Sequence, residues 1–230
     1  MCGRFVRISS IPEIAKRFNV KKPFLPEISP SYNIAPNQEV IIINNTEGRQ
    51  LLPCKWGFLP SWAKDISAGI INARSETVAE KPAFRYALKK HRCLVAADGF
   101  YEWESKKGRK YPVYIKLKSD DIFGFAGMTN LWESPDGSII FTCTIITTEP
   151  NDLIKPIHHR MPVIMPRENE DQWLDPSLEN KNVLLSLLRP YLPEDMELYP
   201  VSPKMNSPVY NSPENIQRYR GQIQTLISDR

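Results

Sequence analysis

Six short apolar and β-branched runs set the tightest limit on how this chain can fold. They are EVIIIN (39–44), LLPCKWGF (51–58), RCLVAAD (92–98), YPVYIKL (111–117), DIFGFAGM (121–128) and SIIFTCTIIT (138–147). Each has the length of a strand, and NTEG, KKGR and SPDG between them are turn sequences of the kind that join antiparallel strands. The 21 prolines are spread along the chain and read as strand ends and turns. Helices are fewer. SSIPEIAKRF offers a serine cap, a proline in the first turn and an apolar face through Ile14, Ala15 and Phe18. KPAFRYALKKH (81–91) repeats the proline start, and RENEDQWL and LENKNVLLSLL predict two later helices. Helices and strands do not alternate as a βαβ sheet requires. The expected class is α+β, with a mainly antiparallel, barrel-like β core flanked by several helices. No internal repeat or Gly/Ser linker divides the chain, so one domain over 1–230 is expected.

No apolar run reaches the roughly 18 residues of a membrane span, and Arg4, Arg7, Lys16 and Arg17 interrupt every candidate signal segment. The expectation is a cytoplasmic protein without a membrane partner, and nothing suggests an obligate assembly, so a monomer is expected. Cys2, Cys54, Cys93 and Cys143 form no CxxC pair, which gives neither a zinc signature nor a disulfide framework. No metal and no cofactor are expected. Cys54, Cys93 and Cys143 lie in apolar runs and read as buried hydrophobes; Cys2 alone stands outside such a run. Charge divides unevenly. Residues 1–120 hold 21 Lys and Arg against 11 Asp and Glu, and residues 121–230 hold 9 against 15. That asymmetry points to a polyanion-facing surface in the first half, although two solvated faces of opposite sign give the same counts.

Cys2 raises the chemical question. A small second residue lets an aminopeptidase remove Met1, and the mature chain would then carry an α-amine and a thiol on adjacent carbons. Reference pKa values of about 7.7–8.0 and about 8.5 put both partly in their reactive forms near neutrality. The pair can take one aldehyde, first as a Schiff base and then as a five-membered thiazolidine; an idle terminal residue is the plain alternative. Three more polar clusters interrupt the apolar segments: Asn72 and Arg74 in INARSET, Glu102 in AADGFYEWE, and His158, His159 and Arg160 in IHHRMPVIM. Glu102 among Phe100, Tyr101 and Trp103 would be desolvated, which raises a carboxyl pKa and suits it to proton donation. Adjacent histidines on an extended segment point to opposite sides, so one of the two would face a pocket. Arg4, Arg74 and Arg160 follow Cys2, Asn72 and His158 by two positions, which on extended backbone places each pair on one face. An arginine beside each reactive side chain suits clamping of phosphate. Trp56, Trp62 and Trp103 are candidates for stacking on bases.

At these clusters the sequence resembles the SOS response-associated peptidase family, whose members crosslink themselves to abasic sites in single-stranded DNA. The matching segments are MCGRF, SYNIAPNQ, WGFLPSWAKD, INARSET, RCLVAADGFYEW, FAGMTNLW, TCTIITTEPN and IHHRMPVIM, which cover most of residues 1–166 in family order. VSPKMNSPVYNSPENI is similar to the family's looser C-terminal ending, and the resemblance implies the compact bacterial form. It also implies a thiazolidine DNA–protein crosslink formed by Cys2 after Met1 removal, through lyase-like Schiff-base chemistry, with a peptidase activity that exposes Cys2. Glu102 then transfers protons, His158 assists sugar-ring opening and crosslink reversal, and Asn72 orients the Cys2 end. Arg4, Arg74 and Arg160 hold flanking phosphates, and Trp62 and Pro36 shape the kinked strand. The partner implied is single-stranded DNA with an abasic site, held covalently, and the protein is nucleoid-associated when bound. Rival readings are an N-terminal-nucleophile amidohydrolase, a Cys-His-Asn thiol peptidase built from Cys2, His158 and Asn72, and a plain single-strand-binding module with an inert Cys2.

Overall fold

The computed structural model describes residues 2–21 and 25–219. Met1, whose removal the sequence leads one to expect, lies outside the described residues. In chain order come β1 (Phe5–Arg7), α1 (Ile11–Arg17), β2 (Ser31–Ile34), β3 (Glu39–Asn44), β4 (Gln50–Trp56), β5 (Asn72–Arg74) and α2 (Arg85–Lys90). The second half brings β6 (Arg92–Ala97), β7 (Gly99–Lys106), β8 (Arg109–Leu117), β9 (Phe123–Glu133), β10 (Ile139–Thr148), β11 (Met161–Pro162) and β12 (Ile164–Met165). α3 (Arg167–Leu174), α4 (Lys181–Ser186) and β13 (Met196–Pro200) follow.

All six apolar runs are strands. α1 starts where the sequence indicates: the Ser10 side chain accepts from the Glu13 N–H while Glu13 reaches back to the Ser10 N–H, a reciprocal cap. The 81–91 helix is shorter than expected. Residues 81–84 form a turn and helix begins at Arg85, with no side-chain cap at Phe84 to draw it further back. Two prolines also depart from expectation, Pro53 and Pro112 lying inside β4 and β8. Pro53 pairs with Ile41 outside the stretch where β10 adds on the other side, so its missing N–H costs no ladder bond there. Pro112 pairs with Trp103, and on its other side its carbonyl accepts the Val201 N–H at 3.1 Å, so the β13 pairing ends at a residue with no N–H to return.

Strand β10 pairs with β4, β4 with β3, β3 with β6, β6 with β9 and β9 again with β10. Five strands therefore close into a ring, and β5, β11 and β12 pair with the stretches of β10 and β9 that extend along its rim. The pairing is antiparallel except where β10 lies parallel to β4 and β5. Alternation along β3 and β6 sorts the two faces: Val40, Ile42, Cys93 and Val95 fill the interior, while Ile41, Ile43, Leu94 and Ala96 face α1–α4. Both faces of β6 are thus covered, which is why its sequence is a continuous apolar run instead of an alternating one. Cys54, Cys93 and Cys143 are buried in the interior cluster, as expected.

A second sheet, in the order β13-β8-β7-β1-β2, covers one end of the ring. Phe5 stands edge-on to Trp56 (5.2 Å between ring centroids) and to Phe125 (5.8 Å), and Phe100 meets Phe125 at 5.9 Å. Such pairs contribute about 0.5–1.5 kcal/mol each beyond burial, and these pin the N-terminal strand to the barrel. Asp98 fixes its far end by accepting from the Ile8 N–H (2.6 Å) and the Ser9 N–H (3.1 Å). The sheet's outer face, Val6, Tyr101 and Tyr114, is covered by Val201 and Met205. The C-terminal stretch therefore packs against the sheet. Among the described residues no helix is long and apolar enough to cross a membrane.

Candidate active site

Cys2 sits just before β1 and is fully buried in the same apolar cluster as Cys54 and Cys143. Nothing in its local sequence announces this; the aromatic packing of Phe5 draws it in. Burial pushes the Cys2 thiol well above its ordinary pKa, and the nearby Glu102 carboxylate adds to the rise. The thiol is thus held protonated at neutral pH, contrary to the partial thiolate that reference values suggest. Asn72, on the short strand β5, donates from Nδ2 to the Cys2 carbonyl at 2.8 Å. β5 is held in place by parallel pairing with β10, Asn72 opposite Ile145 and Arg74 opposite Thr147. Alternation then buries Ala73 and leaves Arg74 exposed on the Asn72 side.

Glu102 lies on β7, two residues beyond Phe100 and on the same face, toward the barrel. It is 2% exposed, and burial raises its pKa, as the aromatic residues around it in the sequence lead one to expect. Its Oε1 is 4.0 Å from His158 Nδ1. That nitrogen lies 3.0 Å from both the Arg160 N–H and the Arg160 carbonyl oxygen, so the backbone of Arg160 holds the ring on this side. Burial lowers the His158 pKa, and cations at Lys110 and Arg160 add to the shift. Cys2, Asn72, Glu102 and His158 come from four separate segments and meet at one end of the barrel. The two histidines do not point to opposite sides. Their rings stack at 4.4 Å and 28°, because the chain bends at His159 instead of running extended.

The predicted phosphate and base contacts fall into two groups. Arg74 is exposed, Trp62 is 60% exposed in the loop after β4, and Pro36 is half-buried between β2 and β3. Arg4 and Arg160 are already engaged within the protein. Arg4 donates to Asn33 Oδ1 at 2.7 Å and to the Met205 carbonyl at 3.2 Å. Arg160 makes a two-pronged ion pair with Glu76, 2.9 Å on one prong, and donates to the Thr147 carbonyl at 2.6 Å. Trp56 is fully buried with Nε1 on the Ile71 carbonyl, and Trp103 donates to Asn206, so Trp56 cannot stack on a base. Sequence reasoning missed Glu76 and Asn33. Both lie inside the quoted INARSET and SYNIAPNQ segments, but only tertiary contact gives them a function.

The model of the family described as SOS response associated peptidase (SRAP) matches residues 1–208. The chain belongs to this family. Its SRAP relatives include YoqW of Bacillus subtilis (strain 168), 48% identical over 225 residues that span 95% of this chain and all of that one. HMCES of Mus musculus is 30% identical over 227 residues, covering 80% of this chain and 64% of that protein. Both bear the name abasic site processing protein. A crystal structure of a Bacteroides thetaiotaomicron protein superposes with a TM-score of 0.85 at 30% identity, over 95% of this chain and 100% of that one. The matched region takes in all four clusters and the segment that carries Asn33.

Proposed function

We propose that the chain, acting as one SRAP domain over 1–230, senses abasic sites in single-stranded DNA and shields them by a thiazolidine crosslink through Cys2. The relatives' names support the lesion as partner. The observation that carries the chemistry is a buried carboxyl, Glu102, whose pKa burial raises and which stands near Cys2, with Asn72 on the Cys2 carbonyl. After Met1 removal the Cys2 α-amine adds to C1′ of the open sugar. Glu102 gives its proton to the departing hydroxyl, water leaves and an iminium forms. The Cys2 sulfur then closes on C1′ and its proton returns to Glu102, which balances the step. His158 assists ring opening and the reverse reaction. An amine-first order needs no thiolate, unlike the attack that an amidohydrolase or thiol peptidase makes. Met1 needs only an ordinary aminopeptidase. Arg74, Trp62 and Pro36 line the strand's path, with Arg4 and Arg160 flanking it, and the protein works as a cytoplasmic monomer that joins the nucleoid through DNA.

The test is incubation with single-stranded DNA carrying one abasic site, followed by a denaturing gel. A heat-resistant band is expected from wild type, only a labile adduct from Cys2→Ala, and none after borohydride reduction of the aldehyde. Absence of the band from protein whose N-terminal residue is Cys2 by mass spectrometry refutes the reading.

A further inference from the structure

Seven residue pairs carry the β7–β8 hairpin outward, from Phe100↔Ile115 to Lys106↔Arg109. It turns at Lys107 (φ 48°) and Gly108 (φ 77°), a two-residue turn with both central positions left-handed, whose twist matches that of the strands. Four cations occupy five positions at its tip: Lys106, Lys107, Arg109 and Lys110. Lys106 lies 3.1 Å from Glu104. Lys107, Arg109 and Lys110 are exposed and stand in no ion pair among the described residues. Elsewhere many surface cations are neutralised, Lys90 by Glu179, Lys116 by Glu197 and Arg167 by Asp121. The tip also sets Lys106 directly across from Arg109, an arrangement of like charges that costs a hairpin stability. A polyanion lying along the tip removes that cost.

We propose that this hairpin is a second DNA contact, holding the sugar–phosphate backbone of the single strand several nucleotides from the lesion. The inference rests on the function proposed above. Glu102 lies near the inner end of the same hairpin, and Trp103 beside it is tied to Asn206 by a 2.7 Å hydrogen bond. Four to five residues separate Glu102 from the tip, about 15 Å at ~3.3 Å per residue. Phosphates of a stacked strand advance ~3.4 Å each, which places the contact roughly four to five nucleotides away. Ammonium and guanidinium groups read phosphate charge and not base edges, so the contact is sequence-independent.

The test uses Lys107→Ser/Arg109→Ser in the full chain; Lys110 is kept because its charge also acts on His158. With an undamaged single-stranded 30-mer, the slope of log affinity against log salt should become shallower by about 1.4, or ~0.7 per lost cation. Binding at 0.1 M salt should weaken roughly 10- to 25-fold. Crosslinking at low DNA concentration should slow when the abasic site has fifteen nucleotides on each side and not when it has two. The double variant Lys107→Arg/Arg109→Lys should behave as wild type. An unchanged slope and affinity from protein with wild-type thermal unfolding overturns the arm, as does equal slowing on both substrates. A wild type that binds the 30-mer through the hairpin yet never crosslinks overturns the proposed function instead, so the two failures are separable.

Discussion

Asn72→Ala tests the bond on which the candidate site most depends. The Asn72 amide donates to the Cys2 carbonyl at 2.8 Å, and Cys2 has no solvent exposure. Deleting the donor leaves that carbonyl without this partner in a place water does not reach, at a cost of about 1–3 kcal/mol. For a chain of this size each kcal/mol moves the melting temperature by about 2–4 °C, so a fall of about 2–12 °C is expected. The same bond sets the position of the Cys2 backbone. At 1.36 kcal/mol per factor of ten, losing it should slow crosslinking at saturating DNA by roughly 5- to 150-fold. Asn72→Asp sharpens the test, because an ionised carboxylate sets an acceptor against an acceptor and should be worse than alanine at pH 7. When protonated, Asp can donate to the carbonyl, so its folded pKa lies above the unfolded ~3.9. The stability it contributes is therefore present below about pH 3.9 and lost as pH rises through the raised folded value. Thermal unfolding from pH 3.5 to 7.5 and gel-based single-turnover crosslinking supply the measurements. If Asn72→Ala lowers the melting temperature by less than about 2 °C and keeps the rate within twofold of wild type, or Asp never outperforms Ala at low pH, the hydrogen bond does not hold the site.

Three further outcomes are expected. Glu76→Ala should free Arg160 and loosen the bend that presents its N–H to His158. Glu76 is 51% exposed, so the pair contributes about 1 kcal/mol at most, and crosslinking should slow two- to fivefold while binding to undamaged DNA is not weakened; weaker binding with an unchanged rate would disprove this. Gly99→Ala would place a Cβ 2.3 Å from Tyr114 Oη, inside a packed sheet face; a loss of about 1–3 kcal/mol by urea titration is expected, and a smaller one on a Tyr114→Leu background. Arg17→Met strands Glu170, whose pKa burial already raises, at a cost of about 3–5 kcal/mol near neutrality. Because the folded pKa lies above the unfolded ~4.3, the deficit should shrink as pH falls below the folded value toward 4.3; equal deficits at pH 7.5 and 4.5 would contradict it.

The six strands, the capped first helix and the α+β class were legible in the sequence because they depend on local pattern: apolar runs of strand length, turn residues between them, a serine cap with a glutamate three residues on. The four candidate catalytic positions were legible as well, as polar interruptions within apolar segments that resemble one family. What the sequence could not express was everything that depends on which segments meet. β1 and β5 are three residues long, too short for a pattern, and exist as strands only because β7 and β10 offer them edges. Ring closure rests on β10 pairing with both β9 and β4, the latter in parallel, a register no local motif encodes. Burial of Cys2, and with it the protonated thiol, follows from Phe5 locking into an aromatic cluster contributed by β4, β7 and β9. Residue types and spacing alone determined which groups are available for chemistry. Their pKa values, partners and freedom to touch DNA are properties of the shared low-dielectric space that only the tertiary structure creates.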